Sequence, residues 1–191
     1  MRALIGILAW VMAATGAAEA ATTVYGSSVY QTSGTVIAPN NALGAPDSIS
    51  STLLRVLGPP STLTLVMSQA TSGVTTTIFG QRLTAGSNVQ IAVGEVVGGT
   101  AVFSVFTALP GGFGPSYVLD MSGACALISA TGCSLLRIRV SGGPGSGFLL
   151  DGVSGVAAAP EPSIWGLMLL GFGATTWRLK NGRKVVVRAL A

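Results

Sequence analysis

The chain has few residues that could do chemistry, and the missing ones narrow the choice first. Its 191 residues include no histidine. That removes the usual base of nucleophilic triads and the commonest transition-metal ligand, so serine–histidine hydrolases and histidine-ligated zinc sites are excluded. Between residues 21 and 159 the acids are Asp47, Glu95, Asp120 and Asp151. A glycosidase needs two carboxyl groups facing each other across a sugar, and Asp120 and Asp151 are the pair to consider; otherwise each caps a turn or faces water. No catalytic residue is expected. The bases of the same stretch are Arg55, Arg82, Arg137 and Arg139. The stretch is therefore close to neutral, although the whole chain carries +4. It has no lysine-rich patch and no basic helix, and so no electrostatic footprint for nucleic acid.

Two further groups could bind rather than catalyse. Phe113, in Pro110-Gly111-Gly112-Phe113-Gly114-Pro115, sits in a loop suited to exposure with Tyr117 nearby, and sugars stack on exposed rings; core or loop packing is the alternative for any one aromatic. Arg137 and Arg139 would line a ligand-binding face. Cys125 and Cys133 are the two cysteines, and their spacing is not the Cys-x-x-Cys of redox enzymes or zinc ribbons.

These residues have to be positioned by strands. Low charge, abundant Gly, Ser, Thr and Val, and no long 3.6-residue period argue for strands joined by tight turns. In Thr62-Leu63-Thr64-Leu65-Val66-Met67 the leucines and Met67 share one face, and in Asn88-Val89-Gln90-Ile91-Ala92-Val93 the branched residues do. Leu136, Ile138 and Val140 oppose Arg137 and Arg139, because side chains alternate along a strand. Weaker strands are expected over 24–31, 75–79, 100–108, 116–120 and 147–153. Separated by Gly-Pro-Pro, Gly-Gly and Gly-Gly-Pro-Gly, they predict an all-β, antiparallel β-sandwich with no βαβ pattern.

The ends read as addresses. Arg2, an apolar run from Ala3 to Ala14 and Ala18-Glu19-Ala20 fit a signal peptide over 1–20 with cleavage before Ala21. The β-sandwich ectodomain then spans 21–159, about 140 residues, enough for one domain. Pro160-Glu161-Pro162 precedes an uncharged apolar segment from Ser163 to Trp177, and Arg178, Lys180, Arg183 and Lys184 follow it. At about fifteen residues the segment is short for a transmembrane helix, which takes roughly 17 to 25. The basic cluster after it marks the cytoplasmic side, and Trp165 and Trp177 suit the interfaces. Residues 185–191 form a short C-terminal extension. On this reading the cysteines lie outside the cytoplasm, where disulfides persist, and a Cys125–Cys133 bridge is expected; two buried thiols are the alternative.

Pro160-Glu161-Pro162, span and basic cluster together resemble the PEP-CTERM sorting signal, over roughly the last thirty residues. The resemblance implies export across the inner membrane by the Sec translocon, cleavage by signal peptidase, transient anchoring by the C-terminal helix, and handling by an exosortase. The protein would end at the cell surface or in the extracellular matrix, associated with exopolysaccharide or biofilm. A second resemblance covers most of the ectodomain. Asn41-Ala42-Leu43-Gly44-Ala45-Pro46-Asp47, followed by Ser61 to Leu65, and Leu136 to Val140, followed by Phe148-Leu149-Leu150-Asp151-Gly152-Val153, look like the framework of discoidin-like, galactose-binding-like jelly rolls. That framework implies a jelly-roll-like sandwich and a structural calcium at Asp47 and Asp151, aided by carbonyls and Asn40 or Asn41, since calcium takes six to eight oxygens. Ordinary turn chemistry at Pro46-Asp47 is the alternative. No other cofactor is expected. An exported, non-catalytic surface or matrix protein is the first functional expectation, and a carbohydrate-binding module the second.

Overall fold

The computed structural model describes residues 22–73, 75–158 and Phe172. The expected signal peptide, Pro160-Glu161-Pro162, the basic cluster and, apart from Phe172, the expected transmembrane segment lie outside the described residues. Among the described residues no helix is long and apolar enough to cross a membrane.

Among the described residues eleven strands carry the fold: β1 (Thr23–Ser33), β2 (Thr35–Ile37), β3 (Ser51–Arg55), β4 (Ser61–Thr71), β5 (Thr76–Arg82), β6 (Asn88–Val97), β7 (Thr100–Phe103), β8 (Thr107–Ala108), β9 (Ser116–Leu119), β10 (Cys133–Ser141) and β11 (Ser146–Val156). A 3-10 turn over Pro39–Ala42 and a five-residue helix α1 (Ser122–Ala126) interrupt them. Every strand pairing is antiparallel. One sheet runs β2-β3-β11-β5-β9. The other runs β1-β4-β10-β6, with β7 and β8 in tandem along the far edge of β6. β1 joins the two: Thr23 to Tyr25 pair with β11, and the rest of the strand pairs with β4.

The two-residue period explains why the sheets face each other. Leu63, Leu65 and Met67 of β4, Val89, Ile91 and Val93 of β6 and Leu136, Ile138 and Val140 of β10 point to one side and are buried. They meet Leu53, Ile78, Phe148, Leu150 and Val153 of the other sheet in one apolar cluster. Each such side chain stabilises the fold by about 1.5–3 kcal/mol relative to exposure, so strand register is fixed by which residues must be inside.

The strand expectations need three corrections. β2 and β3 were not anticipated. Residues 100–108 are not one strand. Ser104 splits them: its N–H donates to Val93 O at 2.9 Å, while its hydroxyl accepts from Val93 N–H at 3.2 Å. The side chain takes the place of a ladder carbonyl, and the edge bulges before β8 resumes. The expected strand over 116–120 gives way after Leu119, where Asp120 turns the chain into α1.

Candidate functional site

The outer face of the β1-β4-β10-β6 sheet is where the sequence and the fold converge. β10 sends Leu136, Ile138 and Val140 inward, which forces Arg137 and Arg139 outward about 7 Å apart. In register beside Arg137 lie Thr64 and Ala92, and beside Arg139 lie Thr62 and Gln90. Arg137 Nε donates to Thr64 Oγ1 at 3.0 Å and Nη2 to Gln31 Oε1 at 3.3 Å. Arg139 Nε donates to Gln90 Oε1 at 3.0 Å, and its Nη2 donates to the same oxygen.

Each guanidinium also lies over a phenylalanine supplied by the β7–β8 edge. Arg137 Cζ is 3.7 Å from the centroid of the Phe103 ring, and Arg139 Cζ is 3.9 Å from that of Phe106. Such contacts are worth about 0.5–2 kcal/mol, more as water is excluded. Phe103 reaches inward because its register partner on β6 is Gly94, where a Cβ would stand 2.5 Å from Phe103 Cδ1. Beneath this layer Leu135 and Ala92 are buried, at 1% and 0% exposure, although neither belongs to the cluster between the sheets. The outer face thus has a small apolar layer of its own, with the arginines held above it. Burial pushes the Arg137 guanidinium down from its usual value and nearby Tyr30 opposes that shift; an arginine stays charged regardless.

None of the acids of the described residues meets these arginines. Asp47 Oδ1 accepts from Ile49 N–H, and Asp151 Oδ1 accepts from Asp47 N–H at 3.2 Å. Glu95 accepts from both Ser134 N–H and its hydroxyl. Asp120 accepts from the Ser122 hydroxyl at 2.6 Å and Ser122 N–H at 2.9 Å, and these bonds hold its carboxyl below the usual aspartate range. Asp120 therefore starts α1, and Asp151 ties the Asp47 loop to β11. Asp120 bonds within its own turn, and Asp151 bonds across to a loop 104 residues away in sequence.

The other site residues fall as follows. The Asp47 loop does meet the last strand, through the Asp47–Asp151 bond. The pair contributes two carboxylates where calcium takes six to eight oxygens, and among the described residues no group of three or more His, Cys, Asp or Glu is placed to hold a metal. Asn41 Nδ2 donates to Ser50 O, bracing the same loop. Cys125 and Cys133 form a disulfide with Cα atoms 5.8 Å apart. Phe113 is 55% exposed, but Tyr117 is buried. Its hydroxyl donates to Gly112 O, its ring packs 6.2 Å from Phe148, and Arg82 lies over it. Strand alternation turns Tyr117 into the core, while its hydroxyl still reaches the Phe113 loop at Gly112. Sequence reasoning missed Phe103, Phe106, Gln31 and Gln90, whose roles depend on how β1 and the β7–β8 edge pair.

No family model matches the chain, and no curated protein matches it. Among solved structures it is similar to a family 29 carbohydrate-binding module complexed with mannohexaose, at 12% identity and TM-score 0.47, over 73% of this chain and 94% of that one. A second structure of that kind of module gives 12% identity and TM-score 0.47, over 73% of this chain and 87% of that one. The enzymatically active domain of bacteriophage CBA120 tailspike protein 4 gives 16% and 0.40, over 71% of this chain and 19% of that one.

Proposed function

We propose that the sandwich is the non-catalytic, sugar-binding unit of an exported surface or matrix protein. The observation that carries this reading is the pair of arginine–phenylalanine stacks side by side on one sheet face. A binding site needs a few polar groups held in fixed places over an apolar base. Here the rings and the Thr64, Gln31 and Gln90 oxygens orient both guanidiniums before any ligand arrives, and a rigid sheet holds the set. Planar donors of this kind suit vicinal hydroxyl and carboxyl oxygens. A displayed unit with no binding role would not call for such a layer.

The wider context agrees with this. Within antiparallel sandwiches we place the chain with the discoidin-like, galactose-binding-like jelly rolls, supported by the tie between the Asp47 loop and the closing Asp151 strand. Export and exosortase handling are supported by the signal peptide and the Pro160-Glu161-Pro162 tail read from the sequence. That route would deliver the domain to exopolysaccharide at the surface. A non-enzymatic role is supported by the four carboxylates, each bonded to its own donors.

Affinity electrophoresis of the full-length protein through a panel of neutral and acidic polysaccharides tests the proposal. Retardation by at least one is expected, weakened by about fivefold in Phe106→Ala, which removes the ring under Arg139 and with it about 1 kcal/mol of support. No retardation by any polysaccharide would overturn sugar binding and leave a display unit.

A further inference from the structure

We infer that the ligand of this face is an acidic polysaccharide, gripped through its uronate carboxylates by Arg137 and Arg139. The inference rests on the sugar-binding reading above and specifies the sugar. Its starting point is charge. Two guanidiniums stand about 7 Å apart on neighbouring outward positions of one strand, and like charges at that distance repel. A folded protein can relieve this by setting an acid opposite each, since opposite-charge cross-strand pairs stabilise a sheet. This chain instead sets Thr62, Thr64, Ala92 and Gln90 at the paired positions. The four acids of the domain are bonded elsewhere. The arginines are thus held in place but not neutralised.

The unused donors show where the countercharge belongs. Both arginines bond through Nε and Nη2. The Nη1 group of each, with two N–H donors, has no partner among the described residues. A guanidinium presents its donors as a planar fork that matches a carboxylate. Two forks in fixed register suit a chain that repeats its carboxylates, rather than a single small anion. The other two arginines of the domain lie on β3 and β5 of the opposite sheet. Arg55 donates to Gly142 O, and Arg82 donates to Leu109 O and Pro110 O while lying over buried Tyr117. With two arginines against four acids, the rest of the domain is net negative, so binding of a polyanion should map to this face.

The test is isothermal titration of the full-length protein at low salt with polygalacturonate and alginate, with fully methyl-esterified polygalacturonate, and with polyglutamate. At least one of the two acidic polysaccharides should bind, and the acid should bind about tenfold or more tighter than its ester, which keeps the sugar and removes the charge. Arg137→Gln and Arg139→Gln should each lower affinity for the acid by about tenfold. Arg137→Lys and Arg139→Lys keep the charge and an apolar stem; they should fold as the parent does and still bind more weakly, because the fork is lost. Equal affinity for acid and ester would overturn the acidic ligand and leave sugar binding standing. Polyglutamate binding as tightly as the acidic polysaccharides would overturn a sugar ligand. Undiminished binding in all four variants would overturn the site. Failure to bind either acidic polysaccharide would overturn the inference, and the neutral panel then decides whether sugar binding falls with it.

Discussion

At residue 94 the absence of a side chain lets the outer layer form. A Cβ there would lie 2.5 Å from Phe103 Cδ1 and 2.6 Å from Val102 O, and the second of these is backbone of the paired strand. Phe103 could tilt away, but the carbonyl could not move without breaking the β6–β7 ladder. Gly94→Ala is therefore expected to destabilise the fold by about 1–3 kcal/mol, as overpacking does. It should also lift Phe103 from under Arg137. A thermal melt checks the first effect, and the ring-shifted proton resonances of Arg137 check the second; an unchanged melt with unchanged shifts would show that the layer does not depend on Gly94. The sequence made half of this site legible. Arg137 and Arg139 could be placed on one outward face from alternation with Leu136, Ile138 and Val140 alone. Phe103 and Phe106 could not, because nothing local to them says that their edge strand lies two strands away from β10 with a glycine between.

Among the elements, the segment from α1 to the start of β10 is too short to hold itself. α1 has five residues, well under the length at which a helix is stable alone. It is fixed at one end by Asp120 and at the other by the disulfide to Cys133, whose carbonyl accepts from buried Thr71 Oγ1 at 3.2 Å. Closing so small a loop constrains the unfolded chain by about 2–3 kcal/mol. The Cys125→Ala/Cys133→Ala double variant should melt on the order of 10 °C lower, with loss of α1 exchange protection first and the arginine face intact. A melt equal to the parent's would mean that the bridge constrains nothing. Long alternating strands such as β4, β6 and β10 were readable because six or more residues display the period. β2 and β3 were not, and neither was the break at Ser104, where a hydroxyl substitutes for a backbone acceptor. That substitution leaves no trace in hydrophobic pattern.

For the whole molecule, the question is how a near-neutral domain with a basic face would reach a charged polymer outside the cell. As a helix the apolar segment from Ser163 to Trp177 would be about 22 Å long, against a hydrocarbon core of about 30 Å. On the sequence reading it would be a marginal anchor, with Arg178, Lys180, Arg183 and Lys184 marking the cytoplasmic side. On the same reading, Pro160 and Pro162 would bias Glu161 towards an extended backbone that a processing enzyme could read. A permanent anchor would gain from greater length, whereas a segment meant for removal needs only to pause at the membrane. Intact-mass measurement of the protein recovered from cells, with and without the exosortase, separates these. Loss of the segment after Pro162 only when the enzyme is present is the expected result. It would put the arginine face in the matrix, where acidic polymers are the surrounding medium. An unprocessed tail in both strains would confine the domain to the outer side of the inner membrane. The sugar would then have to be one met there, and the matrix role would be lost even if Arg137 and Arg139 still bound it.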